Sequence, residues 1–253
     1  MDNLIEIELD NILKPLKDRT KGELSTCSVA NPKSNCVTFA RNSEYLAQLE
    51  EADVKNVIVI VPKTLEIKSR FEIFMAEDVD LLFTLYHNYI NRDARPKNDI
   101  ISKSTTIHPS VQFTHGMKLC MYKRNKILFK HIGNVIIEDD VFIDANTVVH
   151  RGRLDSTIIK RGVRIGSLNN IAHNVTIGED SVISTNSCIG GSCKIGKNCW
   201  IGLGTMIKSN LKICDNVLLG MGSIVTKDIN KPGVYAGAPV KFIKEFDPDE
   251  RGF

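Results

Sequence analysis

The sequence predicts a mainly β fold: a parallel β-helix of six-residue repeats, preceded by a small α/β domain. Three observations predict the helix. From Ile159 to Val225 an aliphatic residue falls on every sixth position: Ile159, Ile165, Ile171, Ile177, Ile183, Ile189, Ile195, Ile201, Ile207, Ile213, Leu219 and Val225. The next residue is often glycine (Gly166, Gly178, Gly190, Gly196, Gly202, Gly220). Four residues on sits a small or β-branched side chain (Val163, Val175, Ser181, Ser187, Cys193, Cys199, Thr205, Val217, Ser223). A period of six fits neither the 3.6 of an α-helix nor the alternation of a lone strand. It marks a solenoid in which three hexapeptides make one triangular coil. Residues 18 apart then stack on one face, and the regular part holds about five coils.

With 253 residues the chain has room for one large or two modest domains. It is 42% hydrophobic and 25% charged, with 33 basic against 30 acidic side chains and a formal charge of +3. That balance argues against a nucleic-acid stripe. No apolar run is long enough for membrane insertion and no leader pattern opens the chain, so a cytoplasmic location is expected. The seven cysteines (27, 36, 120, 188, 193, 199 and 214) include no C-x-x-C pair. Cys193 and Cys199 occupy the small inward position of the repeat, where a thiol packs as a small hydrophobe. The six histidines show no zinc-like spacing, and no metal is expected.

In chain order, residues 1–20 read as a charged and aliphatic lead-in. Cys36 to Phe39 reads as a strand end, and Asn42 to Glu51 as a short helix with Tyr45, Leu46 and Leu49 on one face. Val57 to Val61 is a buried strand stopped by Pro62. Glu77 to Tyr89 is an amphipathic helix, and the polar run Asn91–Lys103, with Pro96, is the linker. The expected division is an α/β nucleotide-binding domain at 1–100, a β-helix at 101–231, and a closing segment at 232–253. Ile107 to Phe113 opens the helix. The irregular stretch Thr114 to His131 interrupts it and reads as an extruded loop. Ile137, Ile143 and Val149 resume the beat. Four extra residues around Arg151 to Ser156 are absorbed before it becomes unbroken.

The ending Gly237-Ala238-Pro239-Val240-Lys241 after such repeats resembles the trimeric left-handed β-helix acyltransferases. Four stretches narrow the resemblance to UDP-3-O-acylglucosamine N-acyltransferases. They are Arg151-Gly152-x-Leu154-Asp155-x-Thr157, Asn170-Ile171-Ala172-His173-Asn174-Val175, Pro232-Gly233-Val234-Tyr235 and Thr38-Phe39-x-x-Asn42-x-x-Tyr45. The chain departs from that family in having Ser209-Asn210 where a second histidine is expected. Only a short charged tail follows Ile243, which points toward acyl-CoA rather than a carrier protein as cosubstrate.

The resemblance implies acyl transfer to the amine of a UDP- or dTDP-linked amino sugar. That reaction needs a base near neutral pH, for which histidine, with an ordinary pKa of about 6.5, is suited. His173 lies two positions after inward Ile171, at a coil corner; position alone reads as a surface histidine with no duty, and the resemblance makes it the expected base. Gly191 lies 18 residues on, at the same corner, where its N–H can stabilise the oxyanion. Its glycine also answers to a turn needing positive φ. The resemblance places Phe39 and Tyr45 around a pyrimidine with Asn42 on its edge, and His150 and Asn174 near the sugar. It places Ser209, Asn210, Gly237, Ala238 and Lys241 along the acyl donor. Each of these has a plain structural alternative: core aromatic, turn residue or solvated lysine. The group orienting His173 stays unassigned at this stage. A homotrimer is the expected assembly.

Overall fold

The computed structural model describes residues 2–94, 97–115, 119–122 and 125–245, with the side chains of 6–94, 97–114 and 126–245. Residues 95–96 of the linker, parts of the 114–131 stretch and the tail 246–253 lie outside the described residues. The chain divides into two compact units: Met1–Arg95 with Met117–Lys130, and Pro96–Gly116 with His131–Phe253.

The first unit begins with a helix, α1 (Asp2–Thr20), where the sequence suggested only a lead-in. Of its apolar residues Leu13 and Leu16 are buried, a pattern too sparse to announce a helix that also contains Pro15. A four-stranded parallel sheet follows in the order β1 (Ser25–Thr26), β2 (Cys36–Phe39), β3 (Val57–Pro62), β4 (Glu72–Ala76). Two helices accompany it, α2 (Ser43–Glu50) and α3 (Val79–Ile90). Asn42 caps α2, its Oδ1 accepting the Tyr45 N–H at 3.1 Å, and Asp78 caps α3 through the Leu81 N–H at 2.9 Å. Leu46 and Leu49 of α2 are buried, but Tyr45 is 43% exposed and does not share their face, contrary to the sequence reading. Cys27 and Cys36 form a disulfide that their spacing did not suggest.

Within the 114–131 stretch, Leu119–Tyr122 and Asn125–Leu128 form an antiparallel hairpin that belongs to the first unit. It is tied to α3: the Asn88 amide donates to the Leu128 carbonyl and accepts from the Lys130 N–H. Phe129, buried, stacks on His87 with centroids 4.3 Å apart.

The second unit is the parallel β-helix, of the left-handed type, with three parallel sheets. The first runs from Ile100–Ile101 to Lys212–Ile213 and the third from Gln112–His115 to Ile224–Val225. The second runs from Thr106–Ile107 to the antiparallel hairpin Gly233–Gly237/Val240–Lys244. Register follows the count: Ile159, Ile177, Ile195 and Ile213 pair in turn, as do Ile165, Ile183, Ile201 and Leu219. Ile171, Ile189, Ile207 and Val225 make the third column. All twelve are buried, and so are the nine small inward residues. Inward polar groups are satisfied within the stack: Asn169 Oδ1 accepts the Ser187 N–H at 2.8 Å, and the Ser187 hydroxyl donates to the Gly202 carbonyl.

One coil is longer. Asn134 pairs with Ser156 and Val149 with Ile171, each 22 residues apart, so the four extra residues form a bulge between Arg151 and Ser156. Glycine is required on both of its sides: a Cβ on Gly133 or on Gly152 would overlap the Asp155 carbonyl oxygen. Arg151, 13% exposed in its side chain, anchors the bulge through Asp99 at 3.3 Å.

Candidate active site

The corner after the third sheet carries His173, Gly191 and Ser209 in one column. Its spacing follows from the pairing of Ile171, Ile189 and Ile207 two positions earlier. Backbone bonds join the levels: Ser192 N–H donates to the His173 carbonyl and Asn210 N–H to the Gly191 carbonyl, both at 2.9 Å. Asn174, Ser192 and Asn210 hold the left-handed conformation each corner needs (φ 61°, 63° and 64°). Gly191 does not, so its lack of a side chain has another cause. A Cβ there would lie 2.7 Å from His173 Cε1 and 2.8 Å from Nε2, because the imidazole rests over the Gly191 backbone. Among the described residues the Gly191 N–H has no hydrogen-bond acceptor.

The ring's tautomer can be read from its partners. His173 Nδ1 lies 3.1 Å from Asn174 Oδ1, and the same oxygen accepts the Arg153 N–H at 3.0 Å. A backbone donor on that atom identifies it as the amide oxygen, which can only accept. Nδ1 therefore carries the hydrogen, and Nε2 carries the lone pair. Asn174 itself is fixed: its N–H donates to Thr157 Oγ1 at 2.8 Å, and that hydroxyl donates to the His150 carbonyl at 2.7 Å. Asn174, expected near the sugar, is thus also the residue that hydrogen-bonds the His173 ring, a contact the sequence left unassigned. His150 directs Nδ1 to Thr114 Oγ1 at 2.9 Å.

One neighbour escaped the sequence reading. His131, 4% exposed, meets His173 edge to face, with ring centroids 5.4 Å apart and planes at 88°. It lies 42 residues before His173, which is not a whole number of eighteen-residue coils, and the longer coil intervenes, so the stacking count does not pair them.

The remaining candidates lie elsewhere. Ser209 and Asn210 are exposed and continue the His173 column. Gly237, Ala238 and Lys241 belong to the terminal hairpin of the second sheet, exposed, with Ala236 opposite Lys241. That sheet does not adjoin the corner of His173, which lies between the third and first sheets. Phe39, Asn42 and Tyr45 are in the first unit, at the carboxyl end of β2 and the start of α2. Phe39 packs on Phe83 at 4.7 Å, and the Arg41 guanidinium lies 5.4 Å from its ring. Arg41 is held in turn by Asp80 through two bonds, at 2.9 and 2.5 Å. Asn42 spends its carbonyl on the cap, leaving its NH2 to donate. Among the described residues no cluster of three or more metal-ligating side chains occurs, and no helix is long and apolar enough to cross a membrane.

Comparison with known proteins bears on the fold and the family. Residues 193–227 match the hexapeptide repeat of succinyl-transferase. Over 106 residues, 42% of the chain, it is 50% identical to the UDP-3-O-acylglucosamine N-acyltransferase of Coxiella burnetii, covering 31% of that protein. Over 132 residues, 52% of the chain, it is 39% identical to the enzyme of the same name from Acidovorax sp., covering 40% of it. The chain thus spans about a third of the length of the curated relatives it matches. Among solved structures it is similar to AntD, an N-acyltransferase from Bacillus cereus crystallised with dTDP-4-amino-4,6-dideoxyglucose and coenzyme A. There the identity is 15% and the TM-score 0.42, over 60% of this chain and 85% of that one. The second unit is a hexapeptide-repeat β-helix, and in sequence the chain is similar to the UDP-3-O-acylglucosamine N-acyltransferases.

Proposed function

We propose that the chain is an N-acyltransferase that moves an acyl group from acyl-CoA to the amine of a nucleotide-linked amino sugar. The observation that carries this reading is the His173 imidazole over Gly191, with Nδ1–H bound to Asn174 so that the ring's lone pair lies on Nε2. The amine nitrogen attacks the thioester carbon and gives its proton to Nε2, while the carbonyl oxygen takes up negative charge. The Gly191 N–H, which has no acceptor among the described residues, is available as a donor to that oxygen. Collapse breaks the C–S bond, and the imidazolium returns the proton to the leaving thiolate. Asn174, neutral, orients His173 through its amide oxygen and adds no charge beside the ring.

Phe39, Asn42 and Tyr45 are proposed to hold the nucleotide. They sit where the strands of an open parallel sheet end, the usual place for a ligand in such sheets. Tyr45 is exposed enough to stack, whereas Phe39 already packs on Phe83. Ser209, Asn210 and Lys241 are proposed on the donor side. Leu203, Met206, Met221 and Ile224, each at least 42% exposed on the third sheet and its preceding corner, favour a homotrimer that covers them.

Release of free CoA thiol with UDP- and dTDP-amino sugars tests the reading. His173→Ala is expected to lower turnover about 10²- to 10⁴-fold, the usual weight of a general base. Unchanged turnover would remove His173 from the mechanism. The 50% identity to UDP-3-O-acylglucosamine N-acyltransferases favours a second reading, acylation for lipid A from an acyl carrier protein. Competing the two donors at matched chain length separates the two.

A further inference from the structure

Resting on that reading, we propose that His131 is a positioning residue for His173. Together with the Arg151–Ser156 bulge, it holds the catalytic ring in the one orientation that presents Nε2 to substrate. Asn174 holds the Nδ1 edge of the His173 ring. A hydrogen bond at one ring nitrogen fixes that edge but not the plane of the ring, and a rocked or flipped ring points the wrong nitrogen at the amine. His131 bears on the ring from the side, buried and perpendicular to His173.

Both imidazoles are referenced to the same residue. The Arg153 carbonyl accepts the N–H groups of Ile132 and Gly133, at 2.8 and 3.1 Å, which fixes the chain immediately after His131. The Arg153 N–H donates to Asn174 Oδ1, the acceptor of His173 Nδ1–H. The two faces of one bulge residue therefore set the two rings against each other. Gly133 and Gly152 allow this closure, since a side chain on either would collide with Asp155. Four residues that break the eighteen-residue rule are thus accounted for: a coil of regular length has no peptide to spare for this clamp.

The test pairs His131→Phe, which keeps a flat ring, with His131→Leu, which keeps bulk without one. Tautomers are read without substrate from imidazole ¹⁵N shifts, with His173→Gln assigning the His173 signals. The wild type is expected to show Nδ1-protonated His173. His131→Leu is expected to show mixed tautomers and roughly tenfold lower kcat, with KM for both substrates nearly unchanged, the pattern of a misaligned reacting group. His131→Phe is expected to restore a single tautomer and most of kcat. A single Nδ1-protonated tautomer in His131→Leu, or equal loss in Phe and Leu variants, overturns the proposal. The ¹⁵N readout needs no turnover, so a failed assignment of the reaction, seen as full activity in His173→Ala, remains distinguishable from a failed clamp.

Discussion

Two parts of the β-helix differ in a way that separates stability from chemistry. From Ser156 onward, pairing runs at eighteen residues: Ile159 meets Ile177, and Ile171 meets Ile189. The coil before it needs twenty-two, with Asn134 opposite Ser156. The regular coils repeat one solution, an inward aliphatic with a small inward partner, and each level buries what its neighbours leave open. The longer coil gives up that economy and gains a peptide, Arg153, that reaches Asn174 and the strand of His131. Repetition builds the column on which His173 and Gly191 line up, and the departure from repetition orients the ring. If this division is right, the two regions must respond differently to substitution.

The largest effect belongs to the regular coils. Ile183, fully buried in the second sheet, truncated as Ile183→Ala, is expected to cost about 2–5 kcal/mol of stability by the transfer and cavity terms. Denaturant midpoints read this, and the folded protein should retain its turnover. The bulge should behave in the opposite manner. Gly152→Ala forces a Cβ against the Asp155 carbonyl and opens the bulge, releasing Arg153 from Asn174. Turnover is expected to fall roughly 10²-fold, as for a reacting group misplaced by about 1 Å, with a smaller shift in midpoint than Ile183→Ala. Equal loss of stability in the two variants would erase the distinction.

The smallest effect concerns alkaline pH. Burial pushes the Cys199 thiol up from 9.0 to about 11. The unfolded chain loses that proton first, so stability is unaffected below about pH 9 and declines as pH rises toward about 11. Cys199→Ala should flatten part of that decline in melting temperature between pH 8 and about 10.5. Parallel slopes for variant and wild type would show that the thiol is not responsible. Cys193, raised by burial as well, is the reason the decline should not vanish.

Most of the β-helix could be read directly from the six-residue beat, because a solenoid writes its register into sequence at fixed spacing. The same arithmetic placed His173 above Gly191. It also detected four surplus residues, yet could not say what their backbone would hold, since Arg153 acts through its peptide N–H and carbonyl. His131 was hidden for a similar reason: its partner is 42 residues away, not a whole number of eighteen-residue coils, and the four surplus residues lie between them. In the first unit, β3 and α3 announced themselves by apolar pattern, whereas α1 carries too few buried residues to do so. Tyr45 was misplaced because eight residues of helix give too little pattern to fix a face. Gly191 has no positive φ, so the conformational reason for its glycine falls away, and the space it leaves for the imidazole takes its place.

The eighteen-residue register also makes length a quantised variable. Between Ser192 and Lys212 any excision of eighteen consecutive residues rejoins the chain with every column intact. Such a change would move the terminal hairpin toward His173 by one strand spacing, about 4.8 Å. A lineage can therefore shorten or lengthen the track beyond its catalytic corner in whole steps while the corner stays untouched. The bulge offers no such freedom, because its four residues have no second copy to replace them.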